Sequence, residues 1–252
     1  MLLALGYAAL GTGFLFLMTT SGAATVFCLR GDTRPRFQMA TLGFAAGVMT
    51  AASVWSLLIP ALQQAESDFA FPAWIPAAVG TLSGAAFLIA LDDLIPRLRR
   101  IPETAERRRT ILLVSAITLH NIPEGMAVGL SCAMASRTGA AAGAIALALG
   151  VGVQNFPEGA AVSLPIRQEG GSSARAFLYG TLSGAVEPLF GILAAGAASA
   201  IGPLMPWLLS FAAGAMLYVV AEELIPQSQG RVGTCSYLFG FLLMMVLDVA
   251  LG

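Results

Sequence analysis

The sequence is short of charged residues, lysine, histidine and cysteine. Only 11% of its 252 residues are charged and 57% are hydrophobic, whereas soluble domains carry about 25% charged residues. Lysine is absent, histidine occurs once, and the net charge is −1, which gives no basic surface for nucleic acid. Cys28, Cys132 and Cys235 are widely spaced, so neither a disulfide framework nor a CxxC metal clip is indicated. These shortages disfavour a soluble domain and favour a protein that crosses a membrane several times.

Long apolar stretches predict an all-α integral membrane protein with eight transmembrane helices. A spanning helix needs about 20 apolar residues, and eight such stretches follow one another with short connections. Residues 1–29 contain no basic residue, so we expect a retained first helix and no signal peptide. We expect a single transporter domain over residues 1–252, with helices at 2–29, 37–60, 74–96, 110–134, 140–165, 173–199, 204–225 and 233–251.

Arginine placement predicts the orientation of these helices. With the N-terminus outside, twelve of the thirteen arginines fall in cytoplasmic loops, six of them within 97–109, and only Arg137 falls outside. This distribution follows the positive-inside rule. Trp55, Trp74 and Trp207 then lie near external helix ends, where indole rings anchor at the interface. We expect both termini to be extracytoplasmic and the lipid bilayer to be a plasma membrane, taken as the bacterial inner membrane.

Repeated segments predict an inverted repeat. FAAGVM (44–49) in helix 2 recurs as FAAGAM (211–216) in helix 7, and Leu-Ile-Pro is predicted to close helices 2, 3 and 7. Helices 2 and 7 run in opposite directions in the predicted topology, and this construction is typical of transporters whose site lies near the bilayer midplane. GTLSGA recurs in helices 3 and 6 (80–85 and 180–185), which a strict inverted repeat does not require. Close packing of small residues explains it equally well.

Two hexapeptides carry the chemistry of the chain, HNIPEG (120–125) in helix 4 and QNFPEG (154–159) in helix 5. In each, the first residue and the glutamate are four positions apart and share a helix face. The prolines remove a backbone hydrogen bond and free a carbonyl one residue before the ligands. The short connection makes the two helices antiparallel neighbours. Six polar side chains then converge within the membrane: His120, Asn121, Glu124, Gln154, Asn155 and Glu158.

This combination of side chains predicts a site for a divalent metal ion. Ionisable groups inside a bilayer are costly and usually functional, and one divalent cation balances two carboxylates. Imidazole suits Zn, Cu, Fe and Ni, while carboxylate and amide oxygens suit harder ions. Glu187 in helix 6, surrounded by apolar and small residues, is expected to face the same cavity. A structural hydrogen bond remains the alternative role for Glu187 alone.

HNIPEGMAVG (120–129) and QNFPEGAAVSLP (154–165) strongly resemble helices 4 and 5 of the ZIP (Zrt/Irt-like) divalent metal transporters, in their GufA-like branch. The resemblance covers the whole chain and implies a 3+2+3 bundle with a binuclear centre. The implied first-metal ligands are His120, Glu124, Gln154 and Glu158. The implied second-metal ligands are Asn121, Asn155 and Glu187, with Glu124 and Glu158 bridging. Some members have an acidic residue in place of Asn155, so we expect one strongly held ion here.

Polar residues outside the hexapeptides suggest a route for the ion. Met49, Ser53 and Ser56 form a stripe on helix 2 that is expected to line the external path, with helix packing as an equal alternative. Acidic residues at the external side are Glu66, Asp68 and Asp248. Those expected at a cytoplasmic exit, or alternatively as solvated helix ends, are Asp92, Asp93, Glu222 and Glu223.

The expected function is transport of Zn²⁺, or of Cd²⁺, Fe²⁺, Mn²⁺ or Cu²⁺, into the cytoplasm, with the metal as bound substrate and no cofactor. An enzyme is not expected, because an intramembrane metalloprotease needs an HExxH-type motif, which this sequence lacks. A cation exchanger of another fold is the main alternative, although its repeated motifs would lie in separate halves of the chain. The sequence leaves a homodimer open.

Overall fold

The computed structural model describes residues 1–28, 35–98, 105–139, 141–168 and 170–251. Within these ranges the chain forms eight helical rods and no strand, which confirms the predicted fold class. Three rods consist of two α-helices in line. The rods are α1 (Leu2–Ala23), α2 (Pro35–Ala52) with α3 (Ile59–Asp68), α4 (Trp74–Leu98), α5 (Ala105–Thr138), α6 (Ala142–Gln168), α7 (Ser173–Gly184) with α8 (Val186–Ala200), α9 (Met205–Val219) with α10 (Ile225–Gln227), and α11 (Arg231–Leu251).

Six of the eight rods are long and apolar enough, by length and composition, to cross a membrane: Leu2–Phe27, Met39–Asp68, Trp74–Leu91, Ser173–Ala200, Met205–Gln227 and Arg231–Ala250. Among the described residues, α5 and α6 do not reach this apolarity, and they are the helices that carry the polar hexapeptides. Residues 121–133 of α5 are all buried. The six apolar rods identify an integral membrane protein. Neighbouring helices enclose this part of α5, whereas α6 also exposes an apolar stripe, Ile145, Leu149, Val153 and Phe156.

Glycines lie where the most extensively packed helices cross. Lipid provides little hydrophobic force between helices, so close backbone approach has to hold such pairs together. The most extensive contacts join α2 to α11, α4 to α9, α1 to α6 and α5 to α8. A Cβ at Gly47 would overlap the backbone of Tyr237 in α11, and one at Gly129 would overlap the backbone of Gly191 in α8. Each pair therefore depends on the absence of a side chain at its crossing.

The contacts divide the rods into two groups. The first group contains α1, α5, α6 and α7–α8, and the second contains α2–α3, α4, α9–α10 and α11. The groups meet mainly where α9 packs on α5 and where α2 and α11 pack on α6. The two central helices thus belong to the first group and form most of its surface toward the second.

The Leu-Ile-Pro segments behave differently from the sequence expectation. A π-helical turn precedes Pro60 at Ser53–Leu58 and another precedes Pro226 at Val220–Leu224. Proline has no N–H for the carbonyl four residues earlier and its ring crowds that carbonyl, and a wider turn accommodates both effects. The helix does not end at Pro60 but continues as α3 to Asp68, eight residues beyond the expected boundary.

Candidate metal centre

The two hexapeptides lie side by side in α5 and α6, and both helices continue through their prolines. Asn121, Glu124, Gln154 and Asn155 are fully buried, and Glu158 is 7% exposed. The amide nitrogen Nε2 of Gln154 donates to Oε1 of Glu124 at 2.6 Å, which links the helices at the level of the motif. Of the six predicted ligand residues, the structure joins Glu124 and Gln154 directly, and Asn121, Asn155 and Glu158 are buried in the same two motifs. His120 lies in α5, but its side chain is outside the described residues.

Glu187 reaches this cluster through a break in the sixth rod. α7 ends at Gly184 and α8 begins at Val186, so Glu187 stands in the first turn of α8, where the helix dipole favours a carboxylate. Its Oε1 accepts a hydrogen bond from Nδ2 of Asn155 at 2.9 Å and one from Oγ1 of Thr19 at 3.2 Å. The third carboxylate is fully buried and contacts both α1 and α6.

A side chain of α5 bonds to the same break between α7 and α8. The amide nitrogen of Asn121 donates to the backbone carbonyl of Ser183 at 2.9 Å, one of the carbonyls at the C-terminal end of α7 that lack a partner within their own helix. Asn121 thus connects HNIPEG to the α7–α8 junction, as Asn155 connects QNFPEG to Glu187.

Glycines after the two glutamates place the neighbouring helices against the motif. A Cβ at Gly125 would overlap the backbone of Glu187, and a Cβ at Gly159 would overlap the backbone of Thr19 in α1. Each hexapeptide therefore has a flanking helix at van der Waals distance directly beside its glutamate.

Oxygen atoms without partners are the main chemical feature of the centre. Within the described residues each ligand side chain has at least one buried oxygen that makes no hydrogen bond: Asn121 Oδ1, Glu124 Oε2, Gln154 Oε1, Asn155 Oδ1, Glu158 Oε1 and Oε2, and Glu187 Oε2. Buried acceptors without partners are costly and rare. The amides use their nitrogens to bond other residues and leave their oxygens free. A cation satisfies such a set of acceptors, and carboxylate with amide oxygen is a suitable ligand combination for a divalent ion.

The described side chains include no cluster of three or more His, Cys, Asp or Glu residues arranged to hold a metal. Two of the three carboxylates are instead bonded to amides, Glu124 to Gln154 and Glu187 to Asn155. The donor set among the described residues consists of carboxylate and amide oxygen, and the nitrogen ligand expected from the sequence is His120.

The residues predicted for the external path meet α11. Met49 and Ser53 are fully buried, and Oγ of Ser53 donates to the carbonyl of Met49. Oγ of Ser56 donates to Oδ1 of the partly buried Asp248 at 2.7 Å, which joins the π-helical turn to α11. Glu66 and Asp68 are exposed at the end of α3. Asp248 is therefore held against helix 2, apart from the exposed acidic pair.

The acidic residues predicted for the cytoplasmic side lie at helix ends. Glu222 and Glu223 belong to the π-helical turn Val220–Leu224, where Glu222 is exposed and Glu223 half-buried. Asp93 is exposed near the end of α4. The side chain of Asp92 is outside the described residues.

Sequence reasoning missed two contributors to the centre, Thr19 and the carbonyl of Ser183. Thr19 belongs to a short polar run, Thr19-Thr20-Ser21, in an otherwise apolar first helix. That polar run is the sequence feature that could have identified Thr19. The junction at Ala185 also had a signal, because Pro188 has no N–H for the carbonyl of Gly184 four residues earlier and its ring crowds that carbonyl.

Several proteins of similar sequence are named as zinc transporters. The chain is 38% identical to "Zinc transporter ZIP11" of Xenopus tropicalis, over 96% of each chain, and 38% identical to the protein of the same name in Homo sapiens, over 97% of each. It is 36% identical to "Zinc transporter GufA" of Myxococcus xanthus, over 84% of this chain and 86% of the relative. The family model described as ZIP Zinc transporter matches residues 97–248, more than half of the sequence. The chain therefore belongs to the ZIP transporter family.

Proposed function

We propose that this protein carries Zn²⁺, or a related divalent transition-metal ion, across the membrane into the cytoplasm through the centre formed by α5, α6 and α8. ZIP proteins are transporters and not enzymes, so the metal is cargo and not a cofactor. The observation that carries the proposal is the set of buried, unpaired carboxylate and amide oxygens on facing helices. A purely structural polar cluster would pair its acceptors with donors.

The ligands divide between two positions in this proposal. Glu124, Gln154 and Glu158 would hold the first ion together with His120. Asn121, Asn155 and Glu187 would form the second position, with Glu124 and Glu158 shared. The hydrogen bond from Asn155 to Glu187 supports weak occupancy of the second position, because an amide has taken the place where a fourth carboxylate would add charge.

The proposed direction is from the side of both termini to the cytoplasm. It rests on the arginine distribution, which favours an extracytoplasmic position for both termini. Ser56 and Asp248 would receive the ion outside, with Met49 and Ser53 beyond them.

Further acidic residues would assist at the two ends of the route. Glu66 and Asp68 would attract cations outside, and the cytoplasmic residues would accept the released ion: Asp92, Asp93, Glu222 and Glu223. A movement of the first helix group against the second would change access from one side to the other. The matched contact pairs support an inverted repeat, since α1 packs on α6 as α8 packs on α5, and α2 packs on α11 as α9 packs on α4.

Flux into liposomes tests the proposal. Purified protein in vesicles that contain a zinc-sensitive dye should show Zn²⁺ uptake, and Glu124→Ala and Glu158→Ala should each abolish it, because each removes a carboxylate from the ion's binding position. Gln63→Ala, at an exposed position of α3 that has no role in the proposed route, is the control and should retain the flux. Competition by Cd²⁺, Fe²⁺, Mn²⁺ and Cu²⁺ in the same assay gives the substrate range. Wild-type flux through both centre variants would refute the site.

A further inference from the structure

Thr19 of α1 lies within the metal centre although neither hexapeptide contains it. The residue is fully buried, and its Oγ1 donates to Oε1 of Glu187 at 3.2 Å. Its backbone carbonyl faces Gly159, directly after Glu158, and its side chain faces Gly184, where α7 ends. At this one residue α1 contacts two of the three segments that present carboxylates to the centre, those of Glu158 and Glu187.

Thr19 and Glu187 occupy corresponding positions: Thr19 lies beside α6, and Glu187 lies beside α5. A Cβ on the glycine of HNIPEG, Gly125, would overlap the backbone of Glu187, and a Cβ on the glycine of QNFPEG, Gly159, would overlap the backbone of Thr19. Since the two hexapeptides repeat one another, Glu187 and Thr19 are equivalent residues of the flanking helices. One helix supplies a carboxylate, and the other supplies a hydroxyl that bonds to it.

The hydroxyl restricts how Glu187 can present its oxygens. Oε1 accepts hydrogen bonds from Thr19 and from Asn155, while Oε2 is buried with no partner among the described residues. The carbonyl of Leu15 is also 3.2 Å from Thr19 Oγ1, and a hydroxyl has only one hydrogen to donate. An ionised carboxylate is the stronger acceptor, so the hydrogen is directed to Glu187.

We propose that Thr19 is a positioning residue of the metal centre, whose hydroxyl acts with the Asn155 amide to hold Glu187 so that Oε2 alone faces the transported ion. The proposal rests on the proposed function, because it assigns a role at the same site. Without the hydroxyl the Glu187 carboxylate gains rotational freedom, and ion binding loses that pre-organisation.

The test compares three substitutions in the full chain. Thr19→Val removes the hydroxyl and keeps the shape, whereas Thr19→Ser keeps the hydroxyl. Thr12→Val is the matched control, because Thr12 lies two turns earlier on α1, is also fully buried, and donates to the carbonyl of Ala8. Zn²⁺ affinity is measured by competition with a chromogenic chelator, and liposome flux gives the KM and the maximal rate.

We expect Thr19→Val to weaken Zn²⁺ binding about tenfold, the lower end for a hydrogen bond to a charged group, and to raise KM more than it lowers the maximal rate. Thr19→Ser should remain within about twofold of wild type, since the donor is retained. Thr12→Val should bind as wild type does. If valine is not accommodated between Gly159 and Gly184, Thr19→Ala serves in the same comparison.

A double-mutant cycle with Glu187→Ala separates positioning from general structural damage. If Thr19 acts through Glu187, Thr19→Val should not weaken binding further in the Glu187→Ala background. Wild-type affinity in Thr19→Val, an equal loss in Thr12→Val, or a full additional loss in the double variant would each overturn the proposal. A wild-type protein that moves no Zn²⁺ would contradict the proposed function instead.

Discussion

Replacing Asn155 by aspartate is the most direct test of how many ions the centre holds. Nδ2 of Asn155 lies 2.9 Å from Oε1 of Glu187, and Asn155→Asp changes this donor into a second carboxylate. The described centre has three carboxylates, those of Glu124, Glu158 and Glu187. Two divalent ions would leave it one positive charge in excess, whereas one ion leaves a negative charge that a proton neutralises. A fourth carboxylate would balance two ions.

The distance between the side chains of residues 155 and 187 sets how much stability the metal-free variant loses. Two unit charges 2.9 Å apart would repel by about 6 kcal/mol at an effective dielectric constant of about 20. One of two buried carboxylates this close therefore takes up a proton, which for an aspartate at pH 7 costs up to about 4 kcal/mol. We therefore expect the metal-free variant to lose about 3 kcal/mol of unfolding free energy, which corresponds to a fall in Tm of roughly 6–12 °C.

Two measurements check this expectation. Thermal unfolding in chelator gives the metal-free Tm, and equilibrium dialysis followed by elemental analysis gives bound Zn²⁺ per chain. The variant should melt lower than wild type in chelator, gain more Tm than wild type when Zn²⁺ is added, and bind two ions where wild type binds one. Asn121→Asp is the comparison, because Asn121 donates to the neutral carbonyl of Ser183, and its metal-free Tm should fall less. Equal stoichiometry in variant and wild type with no change in the metal-free Tm would refute the reasoning.

Two further predictions concern packing and orientation. Gly159→Ala should lower the Tm and the yield of folded protein, because the added Cβ overlaps the backbone of α1. Gly143→Ala places its Cβ in open space in the same helix and should leave the Tm unchanged. Equal effects of the two substitutions would contradict the packing described above. Cys28 and Cys235 are exposed at rod ends predicted to be cytoplasmic. A membrane-impermeant maleimide should therefore label them only in permeabilised cells, while Ser67→Cys at the exposed end of α3 should be labelled in intact cells, and the reverse pattern would overturn the orientation.

The helical class, the number of rods and the side-by-side placement of the two hexapeptides were predictable from the sequence because each rests on local pattern. Apolar length identifies a spanning helix, and the i, i+4 spacing within each hexapeptide places its ligands on one face. The continuation of helix 2 beyond Pro60 was not predictable, because a proline ends some helices and is absorbed by a π-helical turn in others. Which occurs depends on tertiary packing around the widened turn.

The hydrogen-bond partners within the centre could also not be predicted from the sequence. Asn121 and Asn155 stand at the same position of their hexapeptides, yet one donates to a backbone carbonyl and the other to a carboxylate. The difference arises because the sixth rod is interrupted at Ala185, two residues before Glu187, which leaves the carbonyl of Ser183 open to α5. A break of this kind depends on what the neighbouring helices offer to its unpaired groups.

The centre therefore combines a repeated framework with unequal side chains. Each hexapeptide contains a glutamate, an asparagine and a glycine that packs against a flanking helix, but Glu187 is matched by Thr19 and His120 by Gln154. If all four positions were duplicated as carboxylate and imidazole, the centre would hold two equivalent ions tightly and release neither easily. A hydroxyl that bonds to the third carboxylate, and amides that bond to two of the three, reduce the ligand charge available to an ion. We expect such a site to bind one divalent ion strongly enough to remove its water and weakly enough to release it, as transport requires.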